Sequence, residues 1–148
     1  MVADAPAATR PSLTLRRRLA ASPASVWAAW TDPQKLARWF GPERITHADA
    51  ELDVRVGGRF RVVLYENNGD RHAVGGVYRA IEAERRLVFS WAWESTPERE
   101  SQVTVTLKPD GDGTVLILMH EQLADEATRD RHTGGWTGSL DKLERMFG

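Results

Sequence analysis

Four histidines are the residues of this 148-residue chain best suited to metal or proton chemistry: His47, His72, His120 and His132. Imidazole side chains bind transition metals and exchange protons near neutral pH. The spacing argues against a metal, because His120 and Glu121 point to opposite faces of a predicted strand. His132 does not follow with the four-residue spacing of a zinc-binding helix. We therefore expect no metal and no cofactor, and a His120 that is buried and hydrogen-bonded within a cavity.

General acid–base catalysis by His120, Tyr78 or Glu94 is the enzymatic alternative. The sequence contains no cysteine and no Gly-x-Ser-x-Gly elbow, so it offers no activated nucleophile. Gly57-Gly58 lacks the spacing and the following helix of a phosphate-binding loop. We assign no catalytic residue, and the sequence favours a protein that is not an enzyme.

Binding of an apolar molecule is better supported, because many aromatic residues fall on predicted inward-facing positions. Apolar pockets with few polar groups are typical of small-molecule sites. The predicted cavity residues are Trp39, Phe60, Val62, Tyr78, Phe89, Trp91, Trp93, Leu118, His120, Arg129, His132, Trp136 and Leu140. The alternative interpretation is that the aromatic side chains only fill the core.

The helix predicted over residues 125–147 combines apolar and polar residues on one face. At about 100° per residue, one apolar stripe contains Trp136, Leu140, Leu143 and Phe147. Arg129 and His132 extend this stripe toward the helix start. A packed core would exclude Arg129, so its position predicts the polar rim of a pocket, where it could meet an anionic head group. The alternative is that Arg129 reaches solvent. Three glycines lie where the two parts meet and leave room for a ligand: Gly134, Gly135 and Gly138.

Alternating apolar residues and regular turns predict seven strands. These strands position the candidate histidines and aromatic residues. The predicted strands are residues 12–21, 45–54, 59–66, 71–82, 87–94, 101–108 and 114–122. Short turns between the last six indicate antiparallel hairpins. Asn67-Asn68-Gly69-Asp70 is typical of a type I′ turn. Gly75-Gly76 predicts a bulge, a bend or the close approach of another backbone. Arg17 falls on the apolar face of the first strand and requires either a register shift or a partner.

Two short helices are predicted between the first and second strands. Ser22 and Pro23 suit the N-cap and first position of one helix. Asp32 ends it and caps the next, which Gly41-Pro42 ends. We expect an α+β fold with one domain over residues 12–148 and a flexible N-terminal tail over residues 1–11.

Charge and hydropathy restrict the partners. The net charge of −1 provides no field to hold nucleic acid or an anionic membrane. The longest apolar run, residues 115–119, is too short to cross a bilayer, and residues 1–11 lack the apolar core of a signal peptide. We expect a soluble, cytoplasmic protein. Because residues 115–119 are apolar on both faces and aromatic residues lie near Trp27, we also expect a homodimer.

The order of these elements and several motifs resemble the AHSA1-like family, named after the C-terminal domain of the activator of Hsp90 ATPase, within the START-like (SRPBCC) superfamily. The matching segments are residues 26–33 (VWAAWTDP), 39–42 (WFGP), 53–60 (DVRVGGRF), 76–78 (GVY), 87–91 (LVFSW) and 113–120, with Leu36, His132, Gly134-Gly135-Trp136 and Leu140. Val56 departs from the family pattern, which commonly has proline there. The resemblance spans residues 12–147.

The resemblance implies a helix-grip fold: a seven-stranded curved antiparallel sheet, two short helices after the first strand, and a long C-terminal helix with a cavity between it and the sheet. It implies no fixed chemistry, because one fold serves many functions. Three functions remain open. The preferred one is non-enzymatic binding of a small hydrophobic or amphipathic ligand. The alternatives are an interaction module for an Hsp90-type chaperone and a polyketide-cyclase-like enzyme.

Overall fold

One seven-stranded antiparallel sheet packs against a long C-terminal helix. The structure is a computed structural model that describes residues 10–148; residues 1–9, most of the predicted tail, lie outside the described residues. The strands are β1 (Leu13–Leu19), β2 (Ile45–Leu52), β3 (Arg59–Glu66), β4 (Arg71–Glu82), β5 (Arg86–Trp93), β6 (Ser101–Asp110) and β7 (Gly113–Glu121). The helices are α1 (Pro23–Thr31), α2 (Pro33–Leu36) and α3 (Glu126–Phe147).

The strand order is β1-β7-β6-β5-β4-β3-β2, and every neighbouring pair is antiparallel. Strands β2 to β7 form a meander, and β1 joins it beside β7. Helices α1 and α2 therefore carry the chain from one edge of the sheet to the other. This arrangement confirms the predicted α+β helix-grip architecture.

Local side-chain caps explain where the helices begin. The Ser22 side chain accepts the N–H of Ser25 at 3.2 Å. Asp32 accepts the N–H of Gln34 at 2.9 Å, and Asp125 accepts the N–H of Thr128 at 2.7 Å. Each cap satisfies an N–H that has no partner inside its helix. The predicted starts of all three helices are confirmed, with Asp125 as the cap of α3.

The inner face of the sheet and one stripe of α3 form the core. Trp136, Leu140 and Leu143 are at most 3% exposed, and Phe147 is partly buried. Burial of an apolar side chain of this size contributes about 1.5–3 kcal/mol. The stripe predicted from the sequence is thus the contact between α3 and the sheet.

Arg17 lies on the inner face of β1, as its place in the alternation predicts. The pairing of β1 with β7 runs without a shift from Leu13 to Leu19, so no bulge moves Arg17 outward. Its guanidinium binds Asp141 at 2.8 Å and Glu144 at 3.4 Å on α3. The charge is therefore paired, and it fastens the first strand to the last helix.

Two glycine predictions have definite outcomes. A Cβ on Gly76 would lie 2.0 Å from the carbonyl oxygen of Ser90, so close approach of another backbone explains this glycine. The predicted type I′ turn at Asn67–Asp70 is wrong. Gly69 has φ +91°, Asn67 and Asn68 do not have positive φ, and Gly69 N–H donates to the Glu66 carbonyl at 3.1 Å. This is a type I turn followed by a left-handed glycine, because three residues rather than two lie between Glu66 and Asp70, where the Glu66 N–H donates to the Asp70 carbonyl at 2.9 Å.

The homodimer prediction depends on apolar residues on the outer face of β7 being exposed. Ile117 and Met119 are half-buried there, Val115 is buried, and Trp27 is partly buried. Val56 is the exposed large apolar residue of the part of the chain that the structure describes. The homodimer stays a prediction. Across residues 10–148, no helix has the length and apolar character that crossing a membrane requires.

Candidate ligand-binding site

A cleft of about 470 Å³ opens where β3, β4 and the end of β5 face the first half of α3. This volume is within the range of small-molecule pockets, about 300–1,000 Å³. Its large apolar lining residues are Phe40, Ile45, Leu64, Trp91, Trp93 and Trp136. The lining therefore offers several aromatic faces to an apolar molecule.

Glycines on α3 determine the shape of the cleft. Gly135 lines it, and a Cβ placed on Gly135 would meet no atom within 4 Å. Gly134 also has open space, but it lies on the exposed side of α3. Gly138 has a different role, because a Cβ there would lie 3.1 Å from Cα of Pro42. Of the three glycines, Gly135 thus leaves room in the cleft, and Gly138 allows the loop before β2 to approach the helix.

The side chains of Trp93 and His132 form one wall of the cleft, and a hydrogen bond joins them. The indole N–H of Trp93 donates to Nε2 of His132 at 3.0 Å, and Nδ1 of His132 lies 2.8 Å from the Thr128 carbonyl. Because Nε2 accepts, the proton is on Nδ1 and the ring is neutral. Burial lowers the pKa of His132, which maintains the neutral form.

His120 lies behind this wall and is fully buried. Trp136 donates its indole N–H to Nδ1 of His120 at 3.0 Å, so Nε2 carries the proton and donates to Ser101 Oγ at 2.7 Å. Burial, with a smaller contribution from His132, lowers the pKa of His120 to about 3. His120 is thus buried and hydrogen-bonded, as the sequence predicts, but it lies in the packed interior and does not line the cleft.

The other candidate acid–base groups are also constrained. Glu94 receives two hydrogen bonds from Arg61, at 2.6 and 3.1 Å, and these lower the pKa of its carboxyl. Tyr78 is 3% exposed, and burial raises the pKa of its phenol. His120 donates to Ser101 and cannot take its proton in this tautomer, so the pair is not an activated nucleophile.

The structure separates the predicted cavity residues into three groups. Trp91, Trp93, His132 and Trp136 line the cleft. Around a void of about 20 Å³, too small for a ligand, lie Phe60, Val62, Tyr78 and Phe89. The packed interior holds Trp39, Leu118, His120 and Leu140, each fully buried.

Arg129 is not among the residues that line the cleft; Arg131 is. Arg129 bonds Asp130 at 3.2 Å. The helical wheel explains the difference, because Arg131, Gly135 and Ser139 lie about 60–140° to one side of Trp136, whereas Arg129 lies about 20° to its other side. Together with His132 and Trp136, these three residues are the part of α3 that lines the cleft. The sequence interpretation extended the stripe along the helix, whereas the cleft lies on the helix flank.

The charged lining of the cleft is mainly positive. It contains four arginines and one carboxylate: Arg44, Arg61, Arg71, Arg131 and Glu94. Arg61 pairs with Glu94, and Arg44 lies 3.6 Å from Glu66. Arg71 and Arg131 form no ion pair with a carboxylate of residues 10–148. Arg44, Arg71 and Arg131 line the cleft but are not among the residues predicted from the sequence. A helical wheel centred on Gly135 places Arg131 on the same side of α3.

A second cavity of about 230 Å³ adjoins the cleft. Both cavities are lined by Trp91, Trp93, Ser95, Arg131 and His132, so the bonded pair Trp93–His132 lies between them. Arg99 and Thr128 belong to the second cavity. The indole N–H of Trp91 is buried and has no acceptor among the described residues.

The two remaining histidines are each bonded to a separate carboxylate. His47 bonds Asp49 at 3.0 Å, and His72 bonds Glu66. Within residues 10–148, no three of the His, Asp and Glu side chains come together as metal ligands would. The absence of a metal and a cofactor stays a prediction.

Solved structures from several bacteria share this fold. Protein CV1439 from Chromobacterium violaceum is 27% identical, with a TM-score of 0.81, over 92% of this chain and 96% of that chain. The AHSA1 (SPO3351) protein from Silicibacter pomeroyi is 30% identical, with a TM-score of 0.80 and the same coverage of 92% and 96%. CalU16 from Micromonospora echinospora is 33% identical, with a TM-score of 0.68, over 92% of this chain and 74% of that chain.

Comparison with curated proteins gives no match. The family model described as "Activator of Hsp90 ATPase homolog 1-like protein" matches residues 20–148, from the end of β1 to the end of α3. The matched region includes every segment of α3 and of strands β3 to β5 that lines the cleft. This chain therefore belongs to the family of activator of Hsp90 ATPase homolog 1-like proteins.

Proposed function

We propose that the protein binds a small amphipathic molecule in the cleft between α3 and strands β3 to β5. The observation that carries the proposal is the open space beside Gly135, in a cleft of about 470 Å³ that Trp93 and Trp136 also line. Apolar contacts with these rings would supply most of the binding free energy. The polar residues around them would orient the ligand.

The burial and hydrogen bonding of His120, Tyr78 and Glu94 favour ligand binding over acid–base catalysis. His120 is closed off behind Trp136 and donates to Ser101, and Glu94 is ion-paired with Arg61. A general acid or base needs a reachable proton site and a pKa suited to the working pH. None of the three groups suggested by the sequence combines these properties.

The experiment compares two leucine substitutions on adjacent residues of α3. Gly135→Leu places a side chain in the cleft, and Gly134→Leu places the same side chain on the exposed side of the helix. Both replace a helix-interior glycine by a better helix former, which favours the helix by about 0.8–1 kcal/mol. Each variant is therefore expected to fold, and circular dichroism with thermal unfolding checks this.

Two fluorescent probes with related aromatic bodies measure binding: 1-anilinonaphthalene-8-sulfonate, which is anionic, and N-phenyl-1-naphthylamine, which is uncharged. Both should bind the unmodified protein and the Gly134→Leu variant with similar affinity. Gly135→Leu should weaken both by at least about tenfold, because its side chain occupies the space of the probe. Equal affinity of both variants for the probes would overturn the proposal.

An interaction module for an Hsp90-type chaperone is the second candidate, and membership of the family favours it. In the described part of the chain, Val56 is the exposed large apolar side chain, so a docking surface formed by residues 10–148 would be mainly polar. Calorimetric titration with Hsp90, together with its ATPase rate, tests this function. Heat of binding and a faster ATPase would support it, and their absence would reject it.

A further inference from the structure

We propose, building on the ligand-binding function above, that the natural ligand of the cleft carries an oxyanion such as a carboxylate, and that Arg131 binds this group. The proposal names the chemical class of the ligand rather than its identity. It assigns Arg131 as the residue that selects an anionic amphipath over a neutral molecule with the same apolar body.

The charge around the cleft contrasts with the charge of the chain. The whole protein has a net charge of −1, whereas the cleft lining carries four arginines and one carboxylate. Low-dielectric walls concentrate the field of such a group of like charges and attract a ligand of opposite sign. An anionic head group is therefore favoured at this site, although the protein as a whole is not basic.

The geometry of Arg131 suits it to this role. Its Nη2 donates to Thr128 Oγ1 at 3.2 Å, and Thr128 is 7% exposed, so the guanidinium is held against a buried hydroxyl. Arg131 also lines both the cleft and the adjoining cavity. A guanidinium has five N–H donors, so donors remain for a carboxylate.

Neighbouring carboxylates do not neutralise Arg131 by direct pairing. Hydrogen bonds from Thr128, with smaller contributions from the nearby charges of Arg99 and Arg131, lower the pKa of Asp125. Its side chain accepts the N–H of Thr128 at 2.7 Å. No carboxylate of residues 10–148 lies within ion-pair distance of Arg131. Arg17 differs from Arg131 in this respect, because two carboxylates on α3, Asp141 and Glu144, pair with it.

Arg71 and Arg99 add to the positive field from two other segments. Arg71 lies at the start of β4 and lines the cleft, and Arg99 precedes β6 and lines the adjoining cavity. His132 and His72 lie beside these arginines, and burial keeps His132 neutral. Three arginines from separate parts of the chain thus line the cleft and the adjoining cavity, and Arg131 lines both.

The test replaces Arg131 and, as a matched control, Arg129. Both are arginines in the first half of α3, but Arg129 bonds Asp130 and does not line the cleft. Arg131→Gln should weaken binding of 1-anilinonaphthalene-8-sulfonate about three- to tenfold, and its affinity for uncharged N-phenyl-1-naphthylamine should change less than about twofold. Arg129→Gln should change neither affinity by more than about twofold.

Ionic strength provides an independent measurement on the unmodified protein. Affinity for the sulfonate probe should decrease between about 0.05 and 0.5 M salt, because counterions screen a partly exposed charge pair. Affinity for the uncharged probe should not decrease. The Arg131→Gln variant should show a weaker salt dependence for the sulfonate probe than the Arg129→Gln variant.

The outcomes distinguish this inference from the function on which it rests. If Gly135→Leu removes binding of both probes but Arg131→Gln affects the two probes equally or not at all, the cleft binds ligands and the anion assignment is wrong. If Gly135→Leu leaves both affinities unchanged, the binding function itself is wrong. If Arg131→Gln selectively loses affinity for the sulfonate probe, both the binding function and the anion assignment are supported.

Discussion

Trp136 donates its indole N–H to Nδ1 of His120 at 3.0 Å, and this bond joins the centre of α3 to the inner face of β7. It also fixes the tautomer of His120, whose other nitrogen donates to Ser101 Oγ at 2.7 Å. Trp93 and His132 form a second bond of the same kind at 3.0 Å. The centroids of the two imidazole rings lie 5.0 Å apart. Two neutral histidines therefore connect helix and sheet beside the cleft.

Acidification should reduce the free energy of unfolding, because these histidines must be neutral in the folded state. Burial depresses the folded pKa of His120 to about 3, below the value of about 6.5 for an unperturbed histidine. Its contribution to stability is therefore complete above the unfolded pKa and is lost as the pH falls toward the folded pKa. Between pH 7 and pH 5 the loss from His120 is about 2 kcal/mol, and His132 adds in the same direction.

Urea denaturation at pH 7, 6 and 5 measures this loss, and His47 provides the control. His47 is exposed on β2 and lies outside the buried histidine pair, so His47→Gln is the matched histidine substitution. His120→Gln should reduce the pH dependence, whatever its effect on stability at pH 7. A free energy of unfolding that stays constant from pH 7 to pH 5 in the unmodified protein would contradict the neutral histidine pair.

Removing Ser101 Oγ should destabilise the protein without altering the shape of the core. Ser101→Ala leaves the Nε2–H of His120 buried without its acceptor, which costs about 1–3 kcal/mol. Ser25→Ala, at an exposed position in α1, should cost less than about 0.5 kcal/mol. Chemical denaturation of both variants makes the comparison, and equal stabilities would show that this hydrogen bond contributes nothing.

Arg17 should contribute more to stability than its outward neighbour. Arg17→Met removes an inward guanidinium that binds Asp141 and Glu144, and we expect a loss of about 1 kcal/mol. Arg16→Met, on the exposed side of the same strand, should change stability by less than about 0.5 kcal/mol.

A double-mutant cycle of Arg17→Met with Asp141→Asn isolates the direct interaction between the two charges. Because both side chains are partly exposed, we expect a coupling free energy of about 0.5–1 kcal/mol. A coupling indistinguishable from zero would mean that Arg17 stabilises the sheet through its aliphatic part alone.

Alanine substitutions at the three glycines of α3 should change stability in different directions: two should stabilise the protein and one should destabilise it. Gly134→Ala and Gly135→Ala should each stabilise the protein by up to about 1 kcal/mol, since an added Cβ meets open space at both. Gly138→Ala should destabilise it, because its Cβ would lie 3.1 Å from Cα of Pro42. Thermal unfolding measures all three, and a stabilising Gly138→Ala would show that Pro42 shifts by a few tenths of an ångström to admit the added Cβ.

The elements of this fold could be predicted because local patterns specify them. Alternation of apolar residues identifies each strand to within a few residues, and Ser22 and Asp32 indicate the starts of α1 and α2 through their capping side chains. The start of α3 follows from its apolar stripe, and its cap, Asp125, is seen only in the structure. The hairpin at Gly69 was misassigned because the number of loop residues, rather than the Asn-Gly pair, decides the turn type. Local rules therefore gave the architecture with small errors at turns.

The site was predicted only in part, because its position depends on contacts between distant segments. The sequence identified Trp91, Trp93, His132 and Trp136. It gave no measure of how closely the other aromatic residues pack, and several of them fill the core completely. The cleft also lies on a flank of α3 that the apolar stripe does not indicate, which is why Arg131 was missed in favour of Arg129.

The most direct test uses the six tryptophans as separate reporters in a ¹⁵N–¹H spectrum of their indole N–H groups. Three of them, Trp91, Trp93 and Trp136, line the cleft, and three others, Trp27, Trp30 and Trp39, do not. Titration with 1-anilinonaphthalene-8-sulfonate should shift the first three signals strongly and the other three little, and Gly135→Leu should abolish the shifts. Shifts that are equal across all six tryptophans, or that persist in Gly135→Leu, would contradict binding in the cleft.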